Sequence, residues 1–205
     1  MFTSLLLAFA QPIAQAETPA DTPLDPAPRE STADCSYDLD AMLALDRQAF
    51  DQDIPDGGWR ALSKKGCDAE AAELIRTWRH EKRDHTSILY WHEGQTRASA
   101  GQTEQAVALF RRTYTAPEDD GDFGWNYYVS GTIAFLTGDR EALTAAIEGL
   151  ATIPEPSNNS FTRPDGTVVQ MSWPPNMNVL KGFEKCWGKP YKEAYGRGCT
   201  APLAM

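Results

Sequence analysis

The chain has 205 residues, of which 41% are hydrophobic and 23% are charged, and its formal net charge at pH 7 is −10. This length and composition predict one globular core with at most a small appendage. Phosphate backbones and anionic lipid headgroups repel so acidic a chain, so nucleic acid is not an expected partner, whereas a basic protein is electrostatically permitted.

The amino terminus has the features of a secretory signal. An apolar run from Leu5 to Ala10 precedes Ala14-Gln15-Ala16, the small-x-small pattern that signal peptidase cleaves. The run is too short to cross a bilayer as a helix. We therefore predict a signal peptide over residues 1–16, cleavage after Ala16, and a periplasmic or secreted protein without membrane insertion.

Residues 17–34 are expected to form a disordered linker. They contain four prolines and no aromatic residue, so they cannot bury enough apolar surface to offset the entropy lost on ordering. The folded part is expected to start near Cys35.

The four cysteines are Cys35, Cys67, Cys186 and Cys199. An oxidising compartment lets thiols pair, so the even count predicts two disulfides, for which the sequence alone leaves three connectivities open. Short loops cost the least entropy to close, which favours Cys35 with Cys67 and Cys186 with Cys199. A metal site is not expected, because no Cys-x-x-Cys or closely spaced Cys-His pair is present.

From Ser36 onward, apolar residues recur at three- to four-residue steps, which is typical of helices. One series comprises Leu39, Met42, Leu43, Leu45 and Phe50, and another comprises Ala71, Leu74, Ile75 and Trp78. Between the two series, Pro55, Gly57 and Gly58 break the first helix, and Gly66 ends a short second one. Long helices joined by short glycine-containing turns predict stacked antiparallel hairpins.

The middle of the chain contains an internal repeat with a spacing of 37 residues. The matched pairs are Tyr90 with Tyr127, Trp91 with Tyr128, Gly94 with Gly131, Gly101 with Gly138, Phe110 with Ile147, and Pro117 with Pro154. A weaker copy, at a spacing of 35, matches Gly66, Ala71 and Ile75 to Gly101, Ala106 and Phe110. Since one such unit cannot bury its apolar face alone, about three stacked units are expected.

This pattern resembles the tetratricopeptide repeat family. In that family an aromatic residue, a glycine four residues later, Ala-x-x-x-Phe and a proline mark one helix-turn-helix unit, and Tyr90, Gly94, Ala106, Phe110 and Pro117 stand in those places. Glu93 and Arg97 depart from the family pattern, which usually has Leu and Tyr there, and the repeat is longer than the family's 34 residues. The resemblance covers roughly residues 57–155. It implies an all-α fold, a short right-handed α-solenoid of about three hairpins.

We assign the repeat domain to residues 35–155 and a C-terminal cap to residues 156–205. The Pro164-Asp165-Gly166 turn between β-prone segments predicts a small β-hairpin in the cap. A helix from Asn176 to Trp187 is predicted next. The disulfide between Cys186 and Cys199 would cross-link the end of the cap. Such a cap is needed because the open end of a solenoid would otherwise expose apolar surface.

The resemblance also implies a concave binding face formed by the first helix of each repeat. Its lining would be Ile88, Trp91, His92, Gln95 and Ser99 from one hairpin and Trp125, Tyr128, Thr132 and Phe135 from the next. Aromatic residues mixed with hydrogen-bonding groups are typical of recognition grooves. For Phe135 the sequence favours a core position, and for Trp91 and His92 both groove and core stay open.

Catalytic and metal-binding patterns are weak. The three histidines, His80, His85 and His92, lie within thirteen residues but form no His-x-x-x-His or His-Glu-x-x-His pattern. His92 and Glu93 are an acid-base candidate, yet adjacent residues on a helix point about 100° apart. We therefore predict no cofactor, no metal and no catalytic residues.

The sequence favours an exported binding protein whose partner is another protein or a peptide. One alternative is an immunity- or inhibitor-type protein that neutralises a basic toxin or enzyme through the acidic segment Glu118, Asp119, Asp120 and Asp122. A second alternative is a small cell-wall hydrolase with His92 and Glu93 in its site.

Overall fold

The computed structural model describes residues 33–52, 57–120, 123–163 and 165–201, all of which belong to one compact unit. The predicted signal peptide lies outside the described residues, as do Asp122 and nearly all of the predicted linker. In the part that is described, no helix has the length and apolar character needed to span a membrane.

The described chain is predominantly helical, which confirms the expected fold class at that level, while the right-handed solenoid stays a prediction. The helices are α1 (Leu39–Ala44), α2 (Arg60–Lys64), α3 (Asp68–Lys82), α4 (Ser87–Ser99), α5 (Thr103–Phe110), α6 (Pro117–Asp120), α7 (Trp125–Thr137), α8 (Arg140–Ala151), α9 (Met177–Lys185), α10 (Tyr191–Ala194) and α11 (Arg197–Thr200). A π-helical turn, Gln48–Gln52, follows α1, and a 3-10 turn, Arg111–Thr113, follows α5.

Three glycines mark the turns of successive helix pairs. Gly66 lies between α2 and α3, Gly101 between α4 and α5, and Gly138 between α7 and α8, with φ angles of +87°, +78° and +73°. This left-handed conformation is unstrained only for glycine, which is why the sequence places one at each turn. The starts of α4 and α7, and of α5 and α8, therefore recur close to the spacing seen in the sequence.

The helices of a pair approach closely where a side chain is missing. A β-carbon added to Gly94 of α4 would lie 2.6 Å from the ring of Phe110 in α5. A β-carbon on Gly131 of α7 would lie 3.2 Å from that of Ala146 in α8 and 2.6 Å from Leu180 in α9. These two glycines are therefore sites of close contact between helices.

The C-terminal region begins with the two-stranded hairpin that the sequence predicts. Strands β1 (Ser160–Thr162) and β2 (Val168–Gln170) pair antiparallel, with Phe161 opposite Val169. Helix α9, slightly shorter than expected, buries Val179, Leu180 and Phe183 and packs against α7 and α8.

Both predicted disulfides are confirmed. Cys35 pairs with Cys67 and Cys186 pairs with Cys199, with Cα–Cα distances of 5.6 and 6.0 Å. The first ties the segment before α1 to the start of α3. The second closes a short loop that contains α10. Two such bonds are typical of proteins that mature in an oxidising, extracellular-type compartment.

The interior contains two hydrophobic clusters. The smaller one surrounds Phe50 and Trp78, whose rings stack with centroids 4.5 Å apart. The larger one extends from Trp91 of α4 through Leu143 of α8 to Tyr191 of α10. Residues on both sides of the predicted boundary at 155/156 thus share one core, and the cap is an integral part of it.

The contact between Gly94 and Phe110 makes a direct stability prediction. The change Gly94→Ala should lower the free energy of unfolding by roughly 1–3 kcal/mol, because the added methyl group must displace a fully buried ring. Urea denaturation measures the loss. Gly198→Ala in α11 is the matched control, since its new methyl group would meet nothing within 4 Å. Equal stability of the two variants would contradict the close helix contact.

Candidate functional site

Three residues of the predicted groove belong to the core. Trp91 and Tyr128 are only 3% and 2% exposed, and Thr132 is fully buried. The Trp91 ring packs against those of Phe110, Trp125 and Tyr128 at centroid distances of 4.5, 4.7 and 4.8 Å. The structure therefore corrects their assignment as partner-binding residues, because a partner in solution cannot reach them. Their hydrophobic contacts explain the correction: the aromatic residues repeat because they fill the space between neighbouring helix pairs.

The chain's own C-terminal segment covers part of the face that the resemblance assigns to a ligand. Helix α10 packs against α4, and its Tyr191 is buried in the larger cluster. Burial raises the pKa of Tyr128 well above its usual value, and the neighbouring phenols of Tyr195 and Tyr191 raise it further. The Lys192 ammonium lies 2.6 Å from the carboxylate of Asp68, which joins α10 to the start of α3.

The other predicted groove residues, His92, Gln95, Ser99 and Trp125, are partly exposed. Of these four, Trp125 packs against the buried Trp91 and Tyr128, with ring centroids 4.7 and 5.6 Å away. Trp125 donates its indole N–H to the carbonyl of Thr113 at 2.7 Å, so it fixes the connection before α6. His92 instead belongs to a polar cluster that the sequence analysis did not identify.

That polar cluster is centred on the fully buried carboxylate of Asp51. Its Oδ1 accepts hydrogen bonds from His92 Nδ1 at 2.6 Å and from Trp59 Nε1 at 3.0 Å, and its Oδ2 accepts one from Gln52. Burial raises the pKa of Asp51, but the hydrogen bond and charge of His92 and the hydrogen bonds of Trp59 and Gln52 outweigh this effect. The net pKa is therefore below its usual value.

The hydrogen bond to Asp51 determines which ring nitrogen of His92 carries a hydrogen. Because an ionised carboxylate can only accept, Nδ1 must carry a hydrogen, which leaves Nε2 as the acceptor of a neutral ring. The His92 side chain is 13% exposed. A carboxylate that orients a partly exposed imidazole in this way can support a general base or a metal-ligating histidine.

A cation completes the cluster. The guanidinium of Arg60 lies 4.0 Å above the ring of Trp59, and its Nη1 atom is buried without a hydrogen-bond partner among the described residues. Burial lowers the pKa of Arg60, and the charge of Asp51 opposes this shift. The Asp51 carboxylate thus contacts the imidazole directly, and the Arg60 guanidinium lies over the Trp59 ring, whose centroid is 5.3 Å from that of His92.

Glu93 takes part in a different network from its neighbour His92. Its Oε2 accepts hydrogen bonds from Nε and Nη2 of Arg79 at 3.0 and 2.6 Å, and its Oε1 accepts one from Nε of Arg97 at 3.1 Å. Arg97 also pairs with Glu73 at 2.7 Å. Every buried charge in this network has a partner, and the pairs link α3 to α4. The role of the network is therefore structural. His92 and Glu93 do not share one acid-base site.

The acidic segment begins in α6, where Glu118 and Asp119 are exposed. Asp120 is partly buried, and its carboxylate accepts hydrogen bonds from the backbone N–H of Asn126 at 3.1 and 3.2 Å, which ties α6 to the start of α7. Asp122 lies outside the described residues.

Metal-ligand geometry is found in one group of the described residues, Cys35, Cys67 and Glu70. Both sulfur atoms of this group are already bonded to each other. The group therefore offers no thiolates, and it does not constitute a metal site.

Sequence reasoning missed Asp51, Trp59 and Arg60. Asp51 follows directly after the buried Phe50, and an acidic residue at the end of an apolar helical series was a usable signal. Its partner His92 is 41 positions away, however, so no periodicity or spacing could pair the two.

No family model matches the chain, and comparisons with curated proteins and with solved structures find no match either.

The burial of Trp91 predicts that Trp91→Ala acts on stability. Removing this indole should cost about 3–5 kcal/mol, because it leaves a cavity among three aromatic rings. Thermal and urea unfolding measure the cost. Phe123→Ala, which truncates a side chain that is 48% exposed, should change stability by less than about 1 kcal/mol. An unchanged melting temperature in Trp91→Ala would restore the groove assignment.

The lowered pKa of Asp51 predicts a specific pH dependence. The ionised carboxylate stabilises the fold above the unfolded-state pKa near 4, and this contribution is lost as the pH falls through the lower folded-state pKa. Asp51→Asn should therefore cost roughly 3 kcal/mol near neutral pH, and the difference from wild type should shrink on acidification below about pH 4. Urea unfolding at several pH values tests this. Glu141→Gln, an exposed change in α8, should leave the pH profile as in wild type, whereas a pH-independent cost of Asp51→Asn would contradict the prediction.

Proposed function

We propose that this is an exported binding protein that recognises a basic protein partner through a surface at the junction of α6 and α7. The observation that carries the proposal is a group of exposed aromatic side chains close in sequence to two exposed carboxylates that form no ion pair among the described residues. This aromatic-acidic surface comprises Tyr114, Glu118, Asp119, Phe123 and Tyr127.

Exposed aromatic residues are the first part of the argument. Tyr114, Phe123 and Tyr127 are 44%, 48% and 39% exposed. Large aromatic side chains are costly to leave in water, and they are the residue type most enriched at the centres of protein interfaces. Three of them within fourteen residues provide the apolar anchors that such an interface needs.

The surface is also held in place before binding. The Tyr114 hydroxyl lies 3.0 Å from that of Ser130 in α7. Asn126 bonds both the N–H and the carbonyl of Thr115, each at 3.0 Å. Tyr127 packs on Gly149 of α8. Because little order has to be gained on association, such a preformed surface binds with a smaller entropic cost.

Charge provides the specificity. Residues 113–139 contain no lysine, arginine or histidine, and among the described residues neither Glu118 nor Asp119 forms an ion pair. The charged side chains of this stretch are therefore all acidic, in agreement with the net charge of −10. A partner with lysines or arginines around an apolar centre is complementary to this surface.

The proposal also includes export of the protein from the cytoplasm. Two disulfides agree with folding in an oxidising compartment. The periplasm or the extracellular medium follows from the signal features of the sequence, with cleavage after Ala16.

The two alternative functions, an inhibitor and a hydrolase, require different arrangements of side chains. An immunity- or inhibitor-type protein would use the same acidic surface against a basic toxin, so it is a special case of this proposal. A hydrolase built on His92 and Glu93 would need both side chains in one cleft, and their separate pairing with Asp51 and with two arginines argues against it.

The test is a quantitative capture experiment. The mature chain is immobilised and exposed to periplasmic extract, and the retained proteins are identified by mass spectrometry. Tyr114→Ala with Phe123→Ala should reduce retention of a specific partner at least tenfold, because interface aromatics contribute about 2 kcal/mol or more each. Val168→Ala, which truncates a side chain of β2 that is 67% exposed, is the matched control.

Salt dependence completes the same test. The association rate with the captured partner should fall steeply between low and physiological ionic strength, and Glu118→Gln with Asp119→Asn should flatten that dependence. Equal retention by wild type and the aromatic variant, or a rate that does not respond to salt, would refute the proposal.

A further inference from the structure

We infer that the C-terminal region contains a second binding site, a preformed pocket for an anionic amphiphile with one carboxylate and an alkyl chain. A cavity of about 490 Å³ lies between one face of α9, the segment 172–174, and the segment 199–201. This volume is within the range of small-molecule sites, about 300–1,000 Å³. The pocket shares no residue with the aromatic-acidic surface, so the inference is independent of the proposed function.

The walls of the pocket suit an alkyl chain. Trp173, Pro174 and Met177 supply its apolar lining. The Trp173 ring is held by a hydrogen bond from its Nε1 to the carbonyl of Ile153 at 2.9 Å. Such an apolar pocket binds a hydrocarbon chain by removing both surfaces from water.

The opposite wall is fixed covalently. Cys199 lines the pocket and is bonded to Cys186, just beyond the end of α9. A close approach of Gly182 to Thr200 also holds α11 against α9, because a β-carbon at Gly182 would lie 2.8 Å from the Thr200 methyl group. The cavity therefore exists before any ligand enters.

Two lysines give the lining of the pocket a positive charge. Met177, Lys181 and Lys185 follow one another at four-residue steps on α9, which places them on one helical face. Lys185 donates to the carbonyl of Gly198 at 3.2 Å and keeps further donors available. Among the described residues neither lysine forms an ion pair, and no carboxylate lines the cavity.

This combination selects the ligand class. In a chain of net charge −10, an apolar cavity edged by two unpaired ammonium groups attracts an anion, and its hydrocarbon lining requires an apolar body. A fatty-acid-type carboxylate meets both requirements. A neutral alkyl alcohol lacks the charge, and an alkylammonium ion would be repelled.

Titration of the mature, oxidised chain with dodecanoate tests the inference, with Trp fluorescence and calorimetry as readouts. Dodecanol and dodecyltrimethylammonium are the neutral and cationic probes. We expect dodecanoate to bind at least about tenfold more tightly than either, the ratio that one ion pair of about 1.4 kcal/mol gives. Lys181→Ala with Lys185→Ala should remove this preference, whereas Lys189→Ala, an exposed lysine outside the lining, should preserve it.

A second variant tests the cavity itself. Ala201 lines the pocket and is exposed, so Ala201→Trp should fill the cavity without disturbing the core and should abolish binding. Three outcomes would overturn the inference: no binding of dodecanoate up to millimolar concentrations, equal affinity for all three probes, or binding that survives Ala201→Trp.

Discussion

The buried carboxylate of Glu93, held between Arg79 and Arg97, fixes the relative position of α3 and α4. A charge removed from water is tolerated only when its partners satisfy it, and removing one partner of such a pair costs several kcal/mol. Glu93 has two partners, and one of these, Arg97, reaches on to Glu73. Any sliding of α4 along α3 would break several charged hydrogen bonds at once. The aromatic cluster around Trp91 is built on the helix that this network positions.

Glu93 and Arg97 are also the two positions at which the chain departs from the tetratricopeptide pattern. An ion pair replaces the apolar contact that the resemblance implies there, although the buried location is kept. Hydrophobic contact tolerates small shifts in register, while a bidentate pair has a preferred geometry. The charged pairs at these two positions therefore give the interface between α3 and α4 a defined geometry.

Local sequence signals were sufficient to predict most of the fold. Glycine at each helix turn, the Asp-Gly hairpin and the short cysteine loops each reflect chemistry within a few residues, so the helices, the hairpin and both disulfides could be predicted. The candidate sites depend on contacts that the sequence does not encode locally. Asp51 meets His92, and Lys192 meets Asp68 from 124 positions away. Such pairs follow from how whole elements pack, so the groove was assigned to residues that the C-terminal segment and neighbouring rings in fact cover.

Helix α10 lies in a loop whose two ends are joined by the disulfide between Cys186 and Cys199. A segment tethered in this way faces its docking surface on α4 at an effective concentration of the order of millimolar or above. A free peptide that competes for that surface must exceed this concentration or bind correspondingly more tightly. The disulfide therefore raises the affinity that any peptide would need in order to displace α10 from α4.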